Sequence, residues 1–313
     1  MRNEAENTSE STPPAAYVDR VNRAIDHVVA NLAEPLRLED LAGVACFSPF
    51  HFHRVFAGIV GETPAQFVKR VRLERALAIM AHDPARTLTD VALGCGFASS
   101  GEFSRSFKKR YGVAPSAFDL EEWRAERRGE LDRLMESSGA AWRVGRLPDG
   151  ENPDGFEVEI RDLPARTMAY IRVLDPYRGD VVVAAAERLV AWAEAAGVAD
   201  NPWYGYMWDD PEVVALKDCR YDVAVEAPGA AVDGEVGRFE FPAMRVAQLT
   251  LRGDIQLEMR ALDWLYRTWL PSSGYVPGDQ PSFEAWLGRP FAHGLEHFEL
   301  RVQLPVRPEG RPV

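Results

Sequence analysis

Residues 47–67, FSPFHFHRVFAGIVGETPAQF, and residues 97–118, FASSGEFSRSFKKRYGVAPSAF, are two versions of one motif. With one extra residue in the second copy, Phe52 superposes on Phe103, Arg54 on Arg105, Phe56 on Phe107, Gly61 on Gly112, Pro64 on Pro115 and Phe67 on Phe118. The lead-ins LEDLAGVACF (38–47) and LTDVALGCGF (88–97) match as well. A unit that recurs once is a duplicated supersecondary element, because a solenoid needs about three copies or more to bury its faces.

Each copy reads as helix–turn–helix. Leu38, Leu41 and Ala45 share one face of the first short helix. Ser48-Pro49 then supplies an N-cap followed by proline at the first helical position. Thr87 and Asp90 form a cap-like pair, and Ser99-Ser100-Gly101-Glu102 and Thr63-Pro64-Ala65-Gln66 read as capping boxes. Phe52, Phe56 and Ile59 in one copy, and Phe103, Phe107 and Tyr111 in the other, recur at the spacing of a buried stripe. The outer faces keep Phe50, His51, His53 and Arg54, and Ser100, Glu102, Ser104, Arg105, Lys108 and Lys109. A helix of about 20 Å with such an outer face fits a DNA major groove.

This stretch, from Tyr17 to Phe118, resembles the DNA-binding domain of AraC-type transcription regulators. The resemblance rests on both units, the capped joining helix from Thr63 to about Met80 and the trailing GVAPSAF falling in order. It implies base reading by Phe50, His53 and Arg54 from helix 48–60, and by Ser100, Gly101, Glu102, Ser104 and Arg105 from helix 99–111. Ser100 and Gly101 stand where Rob-like members carry long polar side chains. Lys108 and Lys109 suit phosphate contacts.

The chain has 313 residues, 46% of them apolar, three cysteines and a net charge of −12. That length suits two domains. Residues 17–120 hold 13 Lys and Arg against 11 Asp and Glu, so the acidity lies elsewhere and does not exclude nucleic acid. Within that segment Arg105, Lys108, Lys109 and Arg110 form a local basic run suited to phosphate. No run approaches the roughly 18 apolar residues of a membrane helix, and MRNEAENTSESTPPAA has no signal-peptide core. A cytoplasmic location is expected, with residues 1–16 a disordered tail. Cys46 and Cys95 fall at matching places just before the turns and read as small buried packing residues. No His–carboxylate or cysteine cluster has metal spacing, so no metal or cofactor is expected.

The reading gives an all-α reader over 17–120, a charged helix and Gly/Pro/Asp-rich linker over 121–155, and an α+β domain over 156–308. The last of these alternates strands (156–164, 166–175, 203–211, 219–228, VGRFEFPA, MRVAQLTLRG, 281–287 and 297–306) with helices at 181–197 and 255–270. It falls into two pseudo-symmetric halves of strand, helix, aromatic strand, strand, with a cleft expected between them. By alternation Tyr204, Tyr206 and Trp208 share one face, and Glu284 and Trp286 share one.

The pieces YGYMWDDP (204–211), CRYDVAVEA (219–227), RTWLPSSGYVPGDQPSFEAWL (267–287) and FELRVQLPV (298–306) resemble the GyrI-like effector-binding domain of Rob-like and multidrug-sensing regulators. That resemblance implies a small-molecule pocket with Glu284 as its carboxylate and Tyr206, Trp208 and Trp286 as walls. A carboxylate among ring faces suits a lipophilic cation. The function expected is a non-enzymatic, sequence-specific DNA-binding regulator with a small effector, cationic or aromatic. Its partners are double-stranded DNA, the effector and, as a further candidate, RNA polymerase, with no membrane, in a monomer or weak dimer. The alternatives are a GyrI-like hydrolase, for which the sequence offers Glu284 but no paired second acid, and a protein-interaction module tethered to the reader.

Overall fold

The computed structural model describes residues 15–82, 86–137, 150–278, 280–292, 294 and 297–309. Residues 1–14 of the expected tail and 138–149 of the expected linker lie outside them, while Ala15 and Ala16 open the first helix. Helices α1 (Ala15–Ala30), α2 (Leu38–Val44), α3 (Pro49–Val60), α4 (Pro64–His82), α5 (Leu88–Gly94), α6 (Ser100–Tyr111) and α7 (Leu120–Ser137) follow in order.

The signals read from sequence account for most of these ends. Thr87 Oγ1 accepts from Asp90 N at 3.2 Å, and Ser99 Oγ accepts from Glu102 N at 3.2 Å. Thr63 and Gln66 close a reciprocal box, with Thr63 N donating to Gln66 Oε1 at 2.9 Å and Gln66 N donating to Thr63 Oγ1 at 3.3 Å. Ser48 departs from the pattern: it occupies the N-cap position of α3, but no side-chain hydrogen bond caps that helix, which begins on Pro49 alone.

One expectation about the cysteines is corrected. Cys95 is buried, but Cys46 is exposed. In the matched lead-ins the residue equivalent to Cys46 is Gly96, and both have positive φ, 53° and 79°. The turn needs a left-handed residue there, which glycine adopts without strain. At Gly96 a Cβ would also meet Leu32 O at 2.4 Å and the Arg72 guanidinium at 2.8 Å, whereas Cys46 faces solvent.

The C-terminal domain is one antiparallel sheet of β1 (Glu159–Leu163), β2 (Arg166–Leu174), β3 (Trp203–Met207), β4 (Arg220–Glu226), β5 (Gly237–Phe241), β6 (Met244–Gly253), β7 (Tyr275–Pro277), β8 (Phe283–Trp286) and β9 (Phe298–Pro308). Their order is β1-β6-β9-β8-β3-β4-β2-β5, with β7 paired to β9. Helix α8 (Val181–Ala196) follows β2, and α9 (Ile255–Trp264) follows β6. A π-type turn over Leu265–Trp269 continues α9. Such turns are frequent at functional sites. The aromatic strand predicted over 203–211 stops at Met207, and residues 208–219 leave the sheet as a loop.

Register fixes the two faces, because directly paired residues share one. Trp203, Gly205, Glu284 and Trp286 lie on the face covered by α8 and α9. Tyr204, Tyr206, Phe283 and Phe241 lie on the other, together with Tyr170. The reader packs against that second face. Arg172, whose side chain is 1% exposed, bonds Asp222 through Nε at 2.9 Å and Nη2 at 2.6 Å, and its Nη1 lies 2.8 Å from Asp26 of α1. Tyr170 donates to the other Asp26 oxygen at 2.5 Å.

The two domains share apolar packing. Val213, Val214 and Cys219 of the 208–219 loop pack into the cluster of Leu73, Leu77, Phe103 and Phe107 that forms the second helix–turn–helix core. Replacing Arg172 by methionine strands the buried Asp222 carboxylate and the partly buried one of Asp26. It is expected to cost about 3–5 kcal/mol, read as a lower urea midpoint of the full chain, with a smaller loss at acid pH where the carboxylates take up protons.

Candidate functional site

On the reader, α3 presents Phe50, 75% exposed, and His53 and Arg54, both exposed. The Arg54 guanidinium lies 6.0 Å from the Phe50 ring centroid, so the two form one outward patch. On α6, Ser100, Gly101, Arg105, Lys108 and Lys109 are exposed, and Ser104 is half-buried. Glu102 is held at the helix start, where its Oε2 accepts from Ala98 N at 3.1 Å. The basic run does not act as a unit. Arg110 turns inward, with Nη2 at 3.4 Å from Glu74 and 3.2 Å from Asp218.

The second candidate region is a cleft of about 280 Å³ beside the reader. Tyr177, Met207, Trp208, Met259 and Tyr266 supply its apolar wall, while Arg124, Asp209, Asp210, Glu212, Asp263 and Arg267 are its charged groups. Burial, with Glu212 nearby, pushes the Asp210 carboxyl up to about 6. The cleft's outer wall is the 208–219 loop, whose base is closed by an ion pair. Asp209 Oδ2 accepts from Arg220 N at 2.9 Å and Nε at 2.8 Å, and Oδ1 accepts from Nη2 at 2.7 Å.

The four residues expected to surround a ligand do not meet in one cleft. Trp208 lines it, and its Nε1 donates to Asp222 at 2.6 Å. Tyr206 is on the opposite face of the sheet from Glu284, 1% exposed and stacked 4.1 Å from Phe241. Trp286 shares the Glu284 face but packs against Phe291 and Phe298. Glu284 is 7% exposed and is not part of the cleft lining, which includes Met207, two residues from Gly205, and Ser282, two residues from Glu284. Gly205 sits opposite Glu284, and a Cβ there would meet the Tyr221 hydroxyl at 1.8 Å and Glu284 Oε2 at 2.7 Å. Only glycine leaves room for that contact.

Around Glu284 the structure places two groups that the sequence reading missed. Tyr221 donates to Glu284 Oε2 at 2.8 Å. Glu258 of α9, 4% exposed, is close enough to Glu284 for the two carboxyls to act on each other. Burial pushes Glu284 up to about 7 against the lowering bonds from Tyr221, Glu258 and Trp286. Burial, reinforced by Glu284, raises Glu258 well above the usual carboxylate range. The sequence signal for Glu258 is present: it takes the inward stripe of α9 with Ala261 and Leu265, at i, i+3 and i+7, where an acid is out of place.

Comparison with known proteins agrees with this architecture. Residues 41–120 match the helix-turn-helix domain family model, and residues 156–307 match the GyrI-like small molecule binding domain. Over 144 residues the chain is 33% identical to the HTH-type transcriptional regulator YbfP of Bacillus subtilis, covering 46% of this chain and 47% of that one. It is 33% identical over 111 residues to AdaA of the same organism, a bifunctional transcriptional activator and DNA repair enzyme, covering 36% of this chain and 51% of that one. The chain thus spans about half the length of these curated relatives. Among solved structures, the DNA-binding domain of AdpA in complex with a target DNA superposes with a TM-score of 0.32 at 27% identity, covering 35% of this chain and 96% of that one. On the two family matches, the chain joins an N-terminal helix-turn-helix domain of the AraC type to a C-terminal GyrI-like domain.

Proposed function

We propose that the chain is a cytoplasmic transcription regulator whose double helix–turn–helix reads a bipartite DNA site and whose C-terminal domain binds a small cationic or aromatic effector. The reader extends over 17–120 and the effector domain over 156–308, with α7 and the linker between them. The strand order supports two halves related by a pseudo-twofold: it reads the same from either end when β1 exchanges with β5, β2 with β6, β3 with β8 and β4 with β9. Helices α3 and α6 sit on a shared scaffold, and such helices enter successive major grooves about 34 Å apart, so one chain suffices for one site.

The observation that carries the regulator reading is the 208–219 loop. One side of it lines the cleft through Asp210, Pro211 and Glu212. Its other side is bonded to the reader side of the chain: Trp123 Nε1 donates to Val213 O at 3.0 Å, Arg124 and Arg128 pair with Glu212, and Arg110 pairs with Asp218. A ligand that moves this loop moves the supports of α6. Glu284 is the charged anchor at the inner end, reached when the flexible Met207 and Met259 side chains give way.

The reading makes two measurable demands. Arg54→Ala is expected to lose about 1–3 kcal/mol of discrimination between a selected operator and scrambled DNA. Lys108→Ala is expected to weaken both alike and to lower the salt slope by about one. Equal losses on both DNAs for Arg54→Ala would remove its base-reading role. For the effector domain, calorimetry on the full chain is expected to show that Glu284→Gln lowers affinity for a lipophilic cation by about tenfold or more, a change of about 1.4 kcal/mol. A neutral aromatic compound of similar size is expected to bind nearly unchanged. Unchanged cation affinity would move the anchor elsewhere.

The Glu258–Glu284 pair favours one second reading, hydrolysis by this domain, since it supplies the paired acid the sequence did not offer. Cleavage of a p-nitrophenyl ester by the full chain that disappears in Glu284→Gln would support it, and equal rates for both would exclude it.

A further inference from the structure

Two helix–turn–helix units that read one duplex must be held at the distance and angle of the half-sites they read. In this chain the units have separate cores. The first gathers Ile25, Phe52, Phe56 and Phe67, and the second Leu73, Leu77, Phe103 and Phe107. Helix α4 runs from one core into the other, placing Val68 and Val71 in the first and Leu73, Ala76 and Leu77 in the second. The units also touch where the Gly96 turn lies against Leu32 O. Long helices curve gently rather than stay straight, so α4 alone leaves the angle between the units adjustable.

The C-terminal domain spans both units. At the first, Asp26 of α1 lies 2.8 Å from Arg172 Nη1 and accepts from the Tyr170 hydroxyl at 2.5 Å, and both partners stand on β2. At the second, the loop between β3 and β4 carries Asp218, 3.2 Å from Arg110 of α6. The same loop offers Val213 O to Trp123 Nε1 of α7 at 3.0 Å, and Val213 and Val214 enter the second core. Between these anchors the path stays within one sheet. Arg172 is paired in register with Asp222 of β4 and bonded to its carboxylate, and β4 begins at Arg220, whose pair with Asp209 closes the loop.

We propose that the C-terminal domain is a splint across the reader: by holding Asp26 at one unit and Arg110 and Trp123 at the other, it fixes the separation of α3 and α6 and so the spacing of the two half-sites the chain accepts. Asp26, Tyr170, Arg172 and Asp218 are positioning residues that act on DNA through α3 and α6. This role rests on the DNA reading proposed above and is independent of the effector. One base pair added or removed between the half-sites moves the second by about 3.4 Å along the duplex and about 34° around it. A reader on a lone joining helix follows part of that displacement. A splinted one meets it as lost contacts at α3 or α6.

Two measurements on the full chain test the splint, and the first needs no DNA. Nitroxide labels on the exposed Cys46 of the first unit and on Val113→Cys, an exposed position of the second, report the distance between the units by electron spin resonance. Asp26→Asn with Tyr170→Phe removes the first anchor and leaves Arg172 its Asp222 partner. Asp26→Lys sets a like charge against Arg172 and drives the anchor apart. The parent is expected to give one narrow distance and both Asp26 variants a broader distribution. Arg188→Gln, which breaks an ion pair with Glu235 inside the C-terminal domain, is expected to match the parent. The second measurement is binding to a duplex selected by the full chain from a random pool, and to that duplex with one base pair added or removed between the half-sites. The parent is expected to lose about tenfold or more on either change, and the Asp26 variants about threefold or less. Loss of stability alone would weaken all three duplexes alike. Label distances unchanged in both variants, or variants that keep the parent's spacing discrimination, overturn the splint while leaving DNA reading intact. A parent that selects no duplex overturns the DNA reading and the spacing role with it.

Discussion

The ion pair between Asp209 and Arg220 holds the loop that touches both the cleft and the helix–turn–helix domain. These residues stand at the two ends of the loop joining β3 to β4, and both side chains are about as buried as core residues, at 5% and 4% exposure. Three hydrogen bonds fix the pair, including one from the Arg220 backbone. The Arg220 guanidinium also lies 5.7 Å from the ring of Phe67, at the start of α4. A loop closed at its base in this way leaves the sheet at a defined angle. Everything the loop carries, from Asp210 at the cleft to Val213, Val214 and Asp218 at the reader, takes its position from that closure.

Beside the shared apolar cluster, charged side chains bridge the two domains. Arg172 is shared by Asp26 and Asp222, Arg110 by Glu74 and Asp218, and Glu212 by Arg124 and Arg128. Such buried pairs add little net stability over apolar packing of the same volume, but breaking one is costly. They therefore select one mutual arrangement of the domains and penalise the alternatives. An apolar interface would tolerate sliding; a bidentate guanidinium held between two carboxylates does not. The acidity of the chain, which looks foreign to a DNA-binding protein, is partly used here. Asp209, Asp218, Asp222 and Glu212 of the C-terminal domain meet arginines rather than solvent.

Much of this is legible in the sequence. The duplicated Phe and Gly pattern, with its caps and prolines, places the reader's helices close to their observed ends, because local propensity and the buried stripe agree there. The strands of the second domain are legible as alternation, and so is the face shared by Glu284 and Trp286. The pairing of faces between strands is not. Alternation puts Tyr204 and Tyr206 on one face of β3 but cannot say which face of β8 that is. The register, which puts Gly205 and not Tyr206 opposite Glu284, is set by contacts distant in the chain. The exposure of Cys46 has the opposite origin. Matching residue types pairs it with Cys95, whereas the turn selects a backbone conformation that Cys46 and Gly96 share.

Glu258 shows why a carboxylate site of this kind escapes a motif search. Its position is defined by helical periodicity alone, as an acid on the inward face of α9. Its partner is defined by a strand motif elsewhere. Among the described residues neither has a counter-charge, which in an ordinary core would be a defect that selection removes. Here the sheet provides Tyr221 as a donor and leaves out a side chain at Gly205, so the Glu284 oxygens are both held and given room. An acid kept in apolar surroundings without a cation stays protonated up to neutral pH, and it gains most from any positive charge that arrives. That asymmetry distinguishes the pair from Arg172 with its two aspartates, where the positive charge is already built in and nothing remains to be recruited.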